Sequence, residues 1–279
     1  MADKKKSAAK PDLATIGGLI LAFGGILGGL VLEGGKIRDV AQITAAIIVM
    51  GGTLGAVMVT TPLDVLIRAA KKFRLVFMDT VAAPEAAIDD LILFATKARK
   101  SGIASLEGAA DDIDDYYLRK AISLAVDGTD VQEIRKMMEI EITVEECRWE
   151  ADAKVYEAAG GYSPTVGIIG AVLGLIQVMK HLENIDEVGH GIAVAFVATV
   201  YGVAAANLLF LPAANKIKAR AAKAIEMREL MLEGVIGIAE GLNPKLIKIK
   251  LDAYIQGHAV KDKKSGVRAE RAQAAAAEA

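Results

Sequence analysis

Cys147 is the single cysteine in 279 residues, so no intrachain disulfide holds this fold and no thiolate cluster binds a metal. Histidine is nearly as scarce. His181, His190 and His258 stand at spacings that match no zinc motif, and neither a structural nor a catalytic metal is expected. A formal charge of -2 lacks the basic surface that a phosphate backbone demands, which argues against a nucleic-acid partner. There is also no Gly-rich phosphate loop of the Walker type, no HExxH and no Ser-His-Asp order. Neither ATP hydrolysis nor another enzymatic activity is expected, and no cofactor.

Charge is absent in a second and more informative way. Four runs, Leu13 to Leu32, Ala41 to Thr61, Pro164 to Met179 and Gly191 to Leu211, contain no Asp, Glu, Lys or Arg. With flanking residues and tilt, each has about the length that crosses a bilayer. They raise the mean hydropathy to +0.38 in a chain that is 53% hydrophobic but only 5% aromatic. The pattern predicts an all-α integral membrane protein with four transmembrane helices, in contact with the lipid bilayer, and a helical cytoplasmic domain inserted between the second and third. The expected divisions are residues 1–62, 63–161, 162–214 and 215–260, with a disordered, alanine-rich tail over 261–279.

The first run is longer than the apolar core of a signal peptide and no small-x-small cleavage site follows it, so it reads as an uncleaved span. Its Gly24, Gly25, Gly28 and Gly29, like Gly51 and Gly55 in the second run, put small residues on one helical face where another helix can approach. Basic residues flank the spans unequally: Lys4, Lys5, Lys6 and Lys10 before the first, Arg68, Lys71, Lys72 and Arg74 after the second, Lys216, Lys218, Arg220 and Lys223 after the fourth. The two short links hold only Lys36, Arg38 and Lys180. By the positive-inside rule both termini and the middle segment are cytoplasmic, at the inner membrane. Within that segment Gly102 and Gly128 mark breaks, and Thr129 and Asp130 begin a helix with Gln132 and Glu133 as capping partners.

A channel or proton relay needs a titratable group at mid-membrane depth, and none of the four runs has one. Their polar content is hydroxyl and amide: Ser163 and Pro164 open the third run, Thr199, Tyr201 and Asn207 lie in the fourth, and Pro212 follows it. Thr199 suits ion coordination or a bond to its own helix one turn back. Ser163 followed by Pro164 suits an N-cap with proline at the first helical position, and Pro212 suits either a stop or a kink. Either the chain is a passive scaffold, or the acid arrives on another protein.

Together, GGYSPTVGIIGAVLGLIQVMKHL, GHGIAVAFVATVYGVAAANLLFLPAANKIKAR and the cytoplasmic ARKSGIASLE resemble the flagellar-stator members of the MotA/TolQ/ExbB family, and the likeness extends over nearly the whole chain. The resemblance implies a homo-oligomer, a pentamer, around a MotB-type single-span, peptidoglycan-binding protein that carries a membrane aspartate. It implies rotation against the rotor protein FliG, with Pro164 and Pro212 in coupling and Arg99 and Glu107 at the rotor interface. Sodium-driven members carry threonines in both the third and fourth spans. Here Thr199 is matched by Ala171, which offers a dehydrated sodium ion no oxygen, so proton coupling is expected. The alternatives are an energiser of the ExbB or TolQ kind, whose three spans place the large cytoplasmic segment after the first, and a non-conducting membrane scaffold.

Overall fold

The structure is a computed structural model that describes residues 10–79, 84–110 and 113–255. Lys4, Lys5, Lys6, His258 and the expected tail from 261 lie outside the described residues. Among the described residues four helices are long and apolar enough to cross a membrane: Leu13–Leu32, Ile43–Thr60, Val131–Lys180 and Ile185–Ala239. The all-α expectation holds, apart from an antiparallel pair of two-residue strands, Lys10–Pro11 with Met78–Asp79.

The first span starts where the sequence allows. Asp12 is its N-cap, and the carboxylate accepts the Thr15 N–H at 3.0 Å. The second span contains a π turn, Ile47–Gly51, and ends before Pro62, which leads into the helix Leu63–Lys72.

The third and fourth apolar runs are parts of longer helices, which corrects the proline readings. Val131–Lys180 runs unbroken for 50 residues with Pro164 inside it, so Ser163 is no N-cap. Proline there removes the N–H that would bond the Gly160 carbonyl, yet the helix continues because packing on both sides holds it. Pro212 neither ends nor interrupts its helix. A π turn over Ala205–Phe210 precedes it, and the Leu211 N–H donates to the Ala206 carbonyl five residues back. The wider turn has already shifted the hydrogen-bond register when Pro212, which has no N–H, arrives.

The chain divides into two compact units, one of residues 1–80 and 147–222 and the other of residues 81–146 and 223–279. In the first, Val57, Ala69, Ala153, Phe210, Ala213 and Ile217 form one buried cluster, and Ala45, Val49, Val197 and Ala198 another. In the second, the helix Pro84–Ser101 lays Leu91 against Gly234, where a Cβ would stand 2.6 Å from the leucine Cδ1. Leu106, Ile122, Ile134, Met138, Leu230, Ile236 and Leu251 complete that core. Gly102 and Gly128 have φ of 80° and 76°, a backbone only glycine adopts readily, and both interrupt helices as expected. Asp130 then caps the long helix by accepting the Gln132 N–H at 2.8 Å. Glu233 ties this unit together through Arg135 at 2.6 Å and Lys250 at 2.5 Å.

Among the described residues the first-span glycines find no partner: a Cβ at Gly24, Gly25, Gly28 or Gly29 would meet nothing within 4 Å, nor would one at Gly51 or Gly55. Close approach occurs elsewhere, between the third and fourth spans. A Cβ on Gly174 would lie 2.8 Å from the Ala195 nitrogen and the Gly191 oxygen, and one on Gly167 would lie 2.9 Å from the Ala198 carbonyl.

Candidate functional site

The hairpin of third and fourth spans is built on glycine contacts, and the polar residues of the two spans sit among them. Ser163 is fully buried and its hydroxyl donates to the Gly202 carbonyl across the helix pair at 2.9 Å. Pro164 shares that contact, its Cα standing 3.2 Å from where a Cβ on Gly202 would be. One turn along, Thr199 lies against Gly167. Its hydroxyl donates to the Ala195 carbonyl at 3.2 Å, the local bond one turn back.

Tyr201 turns toward the second span. Its hydroxyl donates to the Val40 carbonyl at 2.6 Å and accepts the Gln42 N–H at 3.3 Å, pinning the segment that leads into Ile43–Thr60. Asn207 donates to the Val203 carbonyl at 2.9 Å, and Thr165 to the Tyr162 carbonyl at 2.8 Å. The Ser163, Thr165, Thr199, Tyr201 and Asn207 side chains are thus engaged by backbone. Thr53 of the second span differs: it is fully buried and its hydroxyl has no partner among the described residues. Ala171 is half-buried and Pro212 exposed, beside the first span. The site residues read from sequence therefore separate. Pro164 packs at Gly202 and Thr199 at Gly167, both in the hairpin, while Tyr201 serves the second span and Pro212 lines a groove with the first.

Two ion-pair clusters in this unit were not anticipated. Asp152 is fully buried in the long helix, with Arg68 Nε at 2.7 Å and Lys72 Nζ at 2.9 Å, and that ammonium also stands 3.3 Å from the centre of the Trp149 ring. Close by, the Tyr156 hydroxyl donates to the Ala69 carbonyl at 2.8 Å. The second cluster joins Asp12 to Lys216 at 2.5 Å and to Arg220 at 2.8 Å, and Arg220 also holds Asp79 at 2.5 Å. The Lys216 ammonium, helped by the Thr15 N–H, pulls the Asp12 carboxyl down to about 2. An Asp immediately before an apolar run is a legible N-cap signal. Its distant cations are not.

In the other unit, Arg99 and Glu107 are both exposed, on different helices, Pro84–Ser101 and Glu107–Ala110, and no ion pair joins them among the described residues. Arg99 lines a groove with Ile92, Thr96, Pro244, Lys245 and Lys248. Among the described residues no group of three or more His, Cys, Asp and Glu is placed to hold a metal ion.

Residues 109–230 match the MotA/TolQ/ExbB proton channel family, and residues 16–102 match the motility protein A N-terminal family. The chain is similar to motility protein A of Bacillus subtilis, at 37% identity over 88% of this chain and 91% of that one. It is also similar to chemotaxis protein PomA of Vibrio alginolyticus, at 32% identity over 88% and 95%. Among solved structures, that of C. jejuni MotAB covers 87% of this chain and 95% of its own at TM-score 0.82 and 34% identity. The flagellar MotAB stator complex from Bacillus subtilis covers 86% and 95% at TM-score 0.79 and 37% identity.

Proposed function

This chain belongs to the MotA/TolQ/ExbB proton channel family, and from that premise we propose how it works as a stator subunit of the flagellar motor in the inner membrane. Copies of it, five in number, surround a MotB-type partner whose single span brings an aspartate and whose outer part grips peptidoglycan. Protons pass along that carboxylate, the ring of subunits turns, and FliG is pushed. Both termini and residues 63–161 are cytoplasmic in this arrangement, which places Arg99 and Glu107 where a rotor can reach them.

One observation supports the borrowed acid. The four apolar runs hold no Asp or Glu, and in the hairpin the Ser163, Thr165, Thr199, Tyr201 and Asn207 side chains already donate to backbone carbonyls. A proton crossing here needs a titratable group that these spans do not own. Ala171, with no side-chain oxygen, leaves the third span without a hard donor at that position, which favours the proton over sodium. Pro164 and Pro212 act as coupling points in helices that continue past them.

The test is flux. The purified chain, reconstituted in liposomes with and without a one-span partner bearing a membrane aspartate, should pass protons only with that partner, and removal of sodium should leave the flux unchanged. Flux through the chain alone, or flux that stops without sodium, would overturn the reading.

A further inference from the structure

Two apolar seams stand uncovered in the unit of residues 81–146 and 223–279. On the long helix Met137, Ile140 and Val144 are exposed, and on the helix over 244–255 so are Leu246, Ile249 and Ala253. Both sets repeat at three and then four residues, the spacing by which one helix seats against another. Ile140 is 64% exposed and Ile249 65%. Single apolar side chains are ordinary on a surface, but a row of them marks a place where protein docks.

Neither seam belongs to the core of its own unit. The helix Leu211–Ala239 contacts both carriers: Glu233 takes Arg135 from one and Lys250 from the other, and a Cβ on Gly237 would stand 3.1 Å from Ile247 Cγ1. At about 100° per residue, Met137, Ile140 and Val144 each lie about 140° or more around their helix from Arg135, and Leu246, Ile249 and Ala253 the same from the fully buried Leu251. Both seams therefore turn outward. They also share a level. Arg135 and Lys250 end on one carboxylate, while farther along Glu145 pairs with Arg228 and Tyr254 bonds to Glu229, so both helices run opposite to Leu211–Ala239 and bring Met137 to about the height of Ile249.

Charge says what covers them. Over 131–146 five glutamates stand against two basic residues, and over 244–255 three lysines stand against one aspartate. Stretches so charged do not lie in lipid, and their opposite signs favour each other as partners. A ring needs two unlike faces on each copy, because a surface that pairs only with itself stops at a dimer. We infer that the Met137, Ile140 and Val144 seam of one copy packs on the Leu246, Ile249 and Ala253 seam of the next, joining neighbouring copies outside the bilayer. The inference rests on the ring of copies in the proposed function and adds the surfaces that hold this part of it together.

The experiment uses the full chain in a Cys147→Ser background, co-expressed with its one-span partner and oxidised in the membrane with copper phenanthroline. Met137→Cys in one copy and Ile249→Cys in another should give a disulfide-linked dimer that neither variant gives alone, and both changes in the same copy should give a ladder of larger species. If either substitution prevents assembly, Ile140→Cys with Ala253→Cys is read in the same way. Native mass spectrometry of the extracted complex counts the copies. A multi-copy complex without the mixed disulfide overturns the inference and leaves the ring standing, whereas a chain that stays single overturns both. A dimer formed by Met137→Cys alone also overturns the inference, because that seam then meets its own kind.

Discussion

The Ser163 hydroxyl donates to the Gly202 carbonyl at 2.9 Å, joining the long helix to the fourth span one residue before Pro164. The two backbones touch there, since a Cβ on Gly202 would come within 2.6 Å of the Ser163 carbonyl oxygen. Proline in mid-helix and a glycine contact at the same level place a weakened rung of one helix against the least bulky point of the other. A hinge and its bearing would be built this way.

Gly202→Ala therefore forces the helices apart, at a cost of about 2–3 kcal/mol from overpacking, whereas Ser163→Ala loses one hydrogen bond, about 1 kcal/mol. Thermal unfolding of the detergent-solubilised assembly and swimming speed are both expected to rank Gly202→Ala below Ser163→Ala. Equal effects would show that the hairpin does not pack as tightly as the geometry indicates.

Tyr201→Phe removes the hydroxyl that holds Val40 and Gln42. It leaves the ring beside Ala45, Val49, Val197 and Ala198, so the loss is about 1 kcal/mol. Amide exchange is the direct readout, and faster exchange confined to residues 40–44 is expected. If exchange also rises across the third span, the tyrosine acts on the hairpin and not on the segment before the second span.

Much of this was legible in the sequence, and the misses share a cause. The apolar runs, the positive-φ turns at Gly102 and Gly128 and the cap at Asp130 are local features, set by residues within a turn of one another. Pro164 and Pro212 look like local signals too, but both sit inside helices that tertiary packing and a π turn carry past them. The first-span glycines advertise a helix contact that is not made among the described residues, while Gly167, Gly174, Gly191 and Gly202 make theirs in the hairpin. Asp12 meeting Arg220 and Asp152 meeting Arg68 join residues 208 and 84 positions apart, a separation at which spacing carries no information.

Charge reversal at Arg99 and Glu107 separates torque from assembly. Both side chains are exposed and no described ion pair joins them. Arg99→Glu with Glu107→Lys should then change unfolding by no more than about 0.5 kcal/mol, with membrane insertion and proton leak intact and motility abolished. Loss of the protein from the membrane would make the pair structural and remove it from the rotor interface.

Asp12 makes one junction acid-sensitive. Its carboxyl is lowered from 3.8 to about 2, first by Lys216 and then by the Thr15 N–H. A depressed folded-state pKa contributes stability that is complete above the unfolded value and disappears as pH falls through the folded one, so the junction weakens between about pH 4 and pH 2. Asp12→Asn should lower the unfolding midpoint at pH 7 and flatten its decline below pH 4. An unchanged acid limb in the variant would mean that other carboxylates govern acid unfolding.

Asp152 should be the least tolerant of the charged positions. Its side chain is fully buried and carries both the Arg68 guanidinium and the Lys72 ammonium, so its loss removes the buried carboxylate that the two cations share. Removing one partner of a buried pair costs about 3–5 kcal/mol, while replacing the whole set by apolar residues of similar volume is often neutral or stabilising. Asp152→Asn is accordingly expected to reduce the yield of folded protein severely, and Asp152→Leu combined with Arg68→Met and Lys72→Met to restore it. Melting curves of the three proteins decide between burial and charge. If the triple variant melts as low as the single one, the acid is needed for something other than neutralising its neighbours, and motility measured in any variant that folds would show whether that role lies in ion flow.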